Sequence, residues 1–105
     1  MADEHRETDR SIAEKTREQI TEPDLFHVIL LNDDYTTMDF VVHVLESIFD
    51  KGPAEAFRVM MQVHTLGQGL CGIYPWEVAE TKVAAVHELA RANGFPLRAT
   101  IEKAG

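Results

Sequence analysis

The fold is decided by the stretch FHVILLNDDYTTMDF, residues 26–40, in which an apolar run meets three short polar side chains and then the start of a helix. The apolar run, residues 26–31, predicts a buried strand because it is continuous and bounded by turn-forming residues. Thr36, followed three positions later by Asp39, is similar to a capping box, so we expect Thr36 to be the N-cap residue of the helix. The polar triplet between them is therefore held by two rigid elements.

The polar triplet is suited to the capture of an amino group beside a hydrophobic side chain. Taken alone, Asn32, Asp33 and Asp34 are typical turn residues that bond nearby backbone. His64 follows Met60 by one helical turn on an otherwise apolar face, where a lone histidine is more often a satisfied core residue than a ligand. A protonated amine has three donors, which an Asn oxygen, an Asp carboxylate and a neutral His nitrogen would accept together. The combination therefore favours a site for a free amine.

Beyond the first strand, the sequence predicts three helices, the first of which begins within this stretch, and two further strands. Pro53 suits the first turn of a helix, and Gly67 suits the position that ends it. Gly94 is expected to end the third helix before Pro96. In chain order we predict a strand over 26–31, helices over 37–49 and 53–66, a strand over 69–76, a helix beginning at 75–77, and a strand over 97–102. This order indicates an α+β fold, in which a small, largely antiparallel three-stranded sheet packs against three helices in a β-α-α-β-α-β sandwich.

Composition excludes several classes of function. The chain has 105 residues, of which 45% are hydrophobic, and this describes one domain with a modest core. The formal net charge of −8 argues against binding to nucleic acid or to an anionic membrane surface, since both need clustered Lys and Arg. The single cysteine, Cys71, excludes an internal disulfide, and no apolar leader is visible, so we expect a cytoplasmic protein.

The chain divides once, near Pro23. Residues 1–24 carry eight acidic and four basic side chains with few apolar ones, which predicts a flexible N-terminal extension. Residues 25–105 have the composition of a folded domain.

Several separated motifs of the folded region resemble the ClpS adaptor family. They are VILLNDDYT at 28–36, Met38, Val63-His64, VAETK at 78–82, and Pro96-Leu97 with the chain end at 101–104. The resemblance covers the chain from Leu25 onward. It implies an adaptor without catalytic activity, cofactor or metal, which binds proteins with an N-terminal Leu, Phe, Tyr or Trp and delivers them to a ClpA-type AAA+ unfoldase partnered with ClpP.

The resemblance also implies a role for individual residues. Asn32, Asp33 and His64 would bind the α-amino group of the substrate, with Asp34 flanking them. The side-chain pocket would be lined by Thr36, Met38, Val41, Met60, Val63 and Leu97. Glu77, Thr81 and Lys82 would contact the N-terminal domain of the unfoldase, and the adaptor would be a monomer. The family commonly has proline where this chain has Thr37, a change that loosens the predicted helix start and leaves the ranking among preferred N-terminal residues open.

Two other functions compete with this interpretation. Asp33, Asp34 and His64 could bind a divalent metal and activate water, although they lack a metal-loop pattern and His27, His43 and His87 each stand alone. A generic protein-interaction domain resembling the C-terminal domain of the ribosomal stalk would combine similar elements. That function would give Asn32 and His64 no particular role.

Overall fold

The structure, a computed structural model, describes residues 23–105. Most of the predicted extension, residues 1–24, lies outside the described residues. In chain order the elements are β1 (Leu25–Leu31), α1 (Met38–Ser47), α2 (Pro53–Leu66), β2 (Gln68–Pro75), α3 (Trp76–Ala92) and β3 (Arg98–Lys103). The predicted α+β order of strands and helices is confirmed.

The three strands form one antiparallel sheet in the order β2-β1-β3, so the first strand of the chain is central. The register between β1 and β2 shifts at Val28 and Ile29, which leaves Cys71 as the extra residue of a bulge on β2. Val28 and Leu30 are completely buried on the face covered by the helices. The core joins them to one side of each helix, mainly through Val44, Leu45, Ala56, Val59, Ala79 and Val86.

The ends of α2 are where the sequence places them. Pro53 is the first helical residue, and Gly67 ends the helix in the left-handed conformation with φ of 87°. The Gly67 carbonyl also accepts a 2.9 Å hydrogen bond from the Asn32 backbone N–H. This bond ties the loop after β1 to the end of α2, and so brings two distant parts of the sequence together.

The prediction that Thr36 is the N-cap of α1 is wrong by one residue. Thr37 is the N-cap, and its side chain accepts a 3.2 Å hydrogen bond from the Phe40 N–H. The Thr36 hydroxyl is engaged elsewhere, as a donor to Asp33. The other predicted boundaries differ by one or two residues, since β2 begins at Gln68, α1 ends at Ser47, α3 ends at Ala92 and β3 begins at Arg98.

Candidate functional site

A cavity of about 280 Å³ opens where the loop after β1 faces α1 and α2. Its size is at the low end of small-molecule sites, so it suits a single side chain rather than a long ligand. The residues that line it are Asn32, Asp33, Asp34, Thr36, Met38, Val41, Met60, Val63 and His64. These are nine of the ten residues predicted for amine binding and for the side-chain pocket, and they come from one loop and two helices.

The floor of the cavity is apolar and well packed. Val41 on α1 is 6% exposed, and Met60 and Val63 on α2 are 4% and 2% exposed. Met38, the first residue of α1, is 43% exposed and stands at the mouth. Val41, Met60 and Val63 therefore belong both to the floor of the cavity and to the core.

Asp33 has a carboxylate that is fixed by its own loop. Its Oδ1 accepts hydrogen bonds from the backbone N–H groups of Tyr35 at 2.8 Å and Thr36 at 2.7 Å. Its Oδ2 accepts a 2.7 Å bond from the Thr36 hydroxyl. Partial burial would raise the pKa of Asp33, but the bonds from Thr36 and Tyr35 outweigh it and hold the pKa below its ordinary value. Asp33 is therefore ionised and rigid at neutral pH.

The loop network had a sequence signal that the capping-box interpretation missed. An Asp followed two and three residues later by groups that can donate to it is the pattern of an Asx turn. Asp33 and Thr36 satisfy this pattern, which leaves Thr37 to cap the helix.

The remaining polar groups of the rim face solvent. Asn32 and Asp34 are exposed, and neither side chain has a hydrogen-bond partner among residues 23–105. His64 is also exposed, so the competing interpretation of a satisfied core histidine is wrong. It lies in the last turn of α2, one residue after the buried Val63 and three before Gly67, beyond the part of the helix that the core covers. The site thus offers an amide, a carboxylate and an imidazole at the mouth of an apolar cavity.

Leu97 is not brought to this cavity. It is 3% exposed in the core, directly before β3, and it borders a second depression with His87 and Phe95. Sequence spacing alone does not distinguish a residue that lines a cavity from one that packs behind it.

The three residues predicted to meet a partner all lie on α3. Glu77 and Thr81 are exposed on its outer face, and the Thr81 hydroxyl donates to the Glu77 carbonyl at 3.0 Å. Lys82 is half-buried, and its Nζ donates a 2.5 Å bond to the carbonyl of Ile48, the C-cap residue that follows α1. The same ammonium lies 5.9 Å from the centre of the Phe49 ring. Lys82 therefore makes contacts within the domain, whether or not it also contacts a partner.

Two other observations bear on the competing functions. In the part of the chain from 23 to 105, no group of three or more His, Cys, Asp or Glu side chains is arranged to hold a metal ion, and this includes Asp33, Asp34 and His64. No described helix is both long enough and apolar enough to span a bilayer.

Comparison with known proteins gives consistent matches. The family model described as ATP-dependent Clp protease adaptor protein ClpS matches residues 21–100. The ATP-dependent Clp protease adapter protein ClpS of Wolinella succinogenes is 60% identical over 84 residues, which cover 80% of this chain and 82% of the relative. The ClpS of Nitratidesulfovibrio vulgaris is 52% identical over 103 residues, covering 98% of this chain and 99% of the relative.

A solved structure is also similar to this chain. Agrobacterium tumefaciens ClpS2 bound to L-phenylalaninamide superimposes with a TM-score of 0.76 and 38% identity, covering 79% of this chain and all of that one. The α+β architecture is therefore shared with a solved structure.

Proposed function

This chain belongs to the ClpS family of ATP-dependent Clp protease adaptor proteins, and we propose that its cavity recognises substrates by an N-terminal Leu, Phe, Tyr or Trp with a free α-amino group. It is an adaptor and not itself a protease. In the proposed function it delivers these substrates to a ClpA-type AAA+ unfoldase that works with ClpP in the cytoplasm.

The observation that carries the proposal is the juxtaposition of an apolar cavity and an unpaired polar rim. L-Phenylalaninamide, the molecule bound to the similar A. tumefaciens protein, has a free α-amino group and an aromatic side chain. A cavity with Val41, Met60 and Val63 at its floor offers the matching apolar surface, and burying a Leu or Phe side chain there would contribute on the order of 2 kcal/mol.

The amine would be bound by the rim. Asn32, Asp34 and His64 have free polar groups at the mouth, whereas the carboxylate of Asp33 already accepts three hydrogen bonds. We therefore propose that Asn32, Asp34 and His64 contact the ammonium directly, which exchanges the roles that the resemblance implies for Asp33 and Asp34. Asp33 would add its negative charge and, with Thr36, keep the loop in place. Acetylation removes the charge and two donors of the amine, so it would leave rim groups unpaired and discriminate strongly against blocked or internal residues.

Delivery would use a different face. Glu77 and Thr81 form an exposed surface on α3 that could contact the N-terminal domain of the unfoldase, and Lys82 would support this surface from its bond to Ile48. Residues 1–24 would engage the unfoldase during hand-over, and the adaptor would act as a monomer.

Fluorescence anisotropy with labelled peptides that differ only at the first residue tests the recognition step. We expect peptides with free Leu, Phe, Tyr or Trp to bind, and N-acetyl-Leu to bind at least about tenfold more weakly, because hydrogen bonds to a charged group are lost. Asn32→Ala should weaken binding of the free Leu peptide, while Gln62→Ala, which removes an amide on α2 outside the cavity, should not. Equal binding of free and acetylated peptides would contradict the proposal.

A further inference from the structure

A second depression, of about 290 Å³, lies between the end of α3 and the start of β3. Its floor is apolar and its rim is basic. Phe95 and Leu97, which are partly or fully buried, form the floor, and the other lining residues are Pro96, His87, Arg91 and Arg98. The depression is distinct from the cavity described above, with which it shares no lining residue.

The basic rim stands out because the chain as a whole carries a net charge of −8. Arg91 and Arg98 are exposed, and neither is within ion-pair distance of a carboxylate of residues 23–105. Arg58, in contrast, pairs with Glu55. Two guanidinium groups that have no carboxylate partner among the described residues, beside an apolar floor, form a surface suited to carboxylates, which they bind in a bidentate manner.

His87 adds a donor to this rim. Its Nε2 accepts a 3.0 Å hydrogen bond from the Ala99 backbone N–H, which links α3 to β3 and fixes the imidazole ring. An Nε2 that accepts a bond has no proton of its own, so in the neutral ring the proton is on Nδ1. The rim therefore consists of three groups that can donate to an anion.

The second depression lies close to the first cavity. Arg98 is paired with Leu31 across the sheet, and Leu31 directly precedes Asn32. From the spacing of paired strands and of consecutive Cα atoms, the Cα atoms of Arg98 and Asn32 are within about 9 Å of each other. On the helical side, the Phe95 ring lies 4.7 Å from the ring of Phe40, the neighbour of Val41.

We propose that the depression around Arg91 and Arg98 binds acidic side chains at the fourth and fifth positions of the substrate, and so selects among substrates that carry the same N-terminal residue. The proposal rests on the proposed function, which places the first residue in the neighbouring cavity. An extended chain advances about 3.5 Å per residue, so these positions lie roughly 10–14 Å from the bound amine, a distance that the Arg98 side chain covers from a Cα atom about 9 Å from that of Asn32.

At the second position of the substrate, the negative charges at the mouth of the first cavity predict that acidic side chains are disfavoured. A substrate residue next to the amine meets Asp33 and Asp34, which line the cavity. An acidic residue there would be repelled, because like charges at close range disfavour one another. An acidic side chain should therefore weaken binding at position 2 and strengthen it at positions 4 and 5.

The test uses four labelled peptides that begin with Leu: one with Ser at positions 2, 4 and 5, one with Glu at positions 4 and 5, one with Asp at position 2, and an N-acetylated form of the second. In the full chain at low salt we expect the Glu peptide to bind about threefold to tenfold more tightly than the Ser peptide, and this gain should fade at high salt. The Asp peptide should bind more weakly than the Ser peptide.

The double variant Arg91→Gln, Arg98→Gln should bring the ratio of the Glu and Ser affinities to about one, whereas Arg58→Gln should leave it unchanged. Because the ratio is taken within each protein, any general loss of affinity cancels. An equal affinity of the wild-type chain for Glu and Ser peptides would overturn the inference, as would a gain that persists in the double variant. If the acetylated peptide bound as tightly as its free form, the proposed function itself would fail.

Discussion

Replacing Lys82 by Met is expected to destabilise the domain even though the substitution keeps most of the apolar stem and removes mainly the ammonium group. In the structure the Lys82 Nζ donates to the Ile48 carbonyl at the end of α1 and lies near the rings of Phe49 and Tyr74. A hydrogen bond from a charged donor contributes about 1.5–3 kcal/mol, and a cation–π contact adds about 0.5 kcal/mol where solvent reaches it. Since Lys82 is only half-buried, we expect a net loss of about 1–3 kcal/mol.

For a domain of this size, each kcal/mol lowers the melting temperature by roughly 4–8 °C. Thermal unfolding followed by circular dichroism at pH 7 should therefore show a fall of at least about 4 °C for Lys82→Met. Lys103→Met is the matched control, because Lys103 is exposed and, among residues 23–105, its only ion pair is with the exposed Asp24 at 3.5 Å. Such a pair contributes little, so the control should melt close to the wild type.

A melting temperature for Lys82→Met equal to that of the control would refute the reasoning. The result also decides how unfoldase binding is interpreted. A Lys82 variant that loses both stability and partner binding does not place Lys82 at the interface, whereas loss of binding in Glu77→Lys at unchanged stability would support a contact through the exposed face of α3.

Three further predictions concern single side chains. Asp33→Asn should lower the free energy of unfolding at pH 7, and the difference from wild type should shrink as the pH falls from 3.8 through the lower pKa of the folded state, because a carboxyl with a lowered pKa stabilises the fold only while it is ionised. Urea unfolding at pH 7 and pH 3 measures this, and a difference as large at pH 3 as at pH 7 would contradict it. Met38→Ala should increase the affinity for peptides with N-terminal Ile or Val, because it opens the mouth to β-branched side chains; unchanged anisotropy titrations would argue against it. Burial raises the pKa of the Cys71 thiol to about 12, so Cys71 should react slowly with a thiol-specific disulfide reagent at pH 8 in the folded protein and rapidly in urea. A fast reaction of the folded protein would show that the bulge on β2 opens readily.

The helix signals that are fixed by backbone geometry could be predicted from the sequence. Pro53 has the φ angle of a first helical turn, and Gly67 adopts a left-handed conformation that other residues rarely take. The choice between Thr36 and Thr37 as the N-cap could not be predicted in the same way. Both hydroxyls can accept the capping bond, and the outcome depends on which of them donates to Asp33.

The site was predictable as a set of residues but less so as an arrangement. Nine of its members were identified, because each residue type matched the chemistry or the family resemblance. The exposure of His64 could not be predicted, since helical periodicity gives a direction around α2 and not the point along it where the core ends. Leu97 was assigned to the side-chain pocket on the resemblance alone, which does not fix whether a residue between α3 and β3 lines that cavity or packs behind it.

The two adjacent carboxylates have different contacts, so that in the proposed function Asp33 holds the loop in place and Asp34 contacts the ligand. Asp33 accepts bonds from its own loop on both oxygens, and Asn32 is tied through its backbone to Gly67, so the loop is fixed at two points without using the Asn32 amide. The side chains of Asp34 and Asn32 make no such hydrogen bonds among the described residues. Their polar groups stay free to meet a ligand, while the loop that carries them is already ordered. A site prepared in this way loses little conformational entropy on binding, which favours recognition of a group as small as an ammonium.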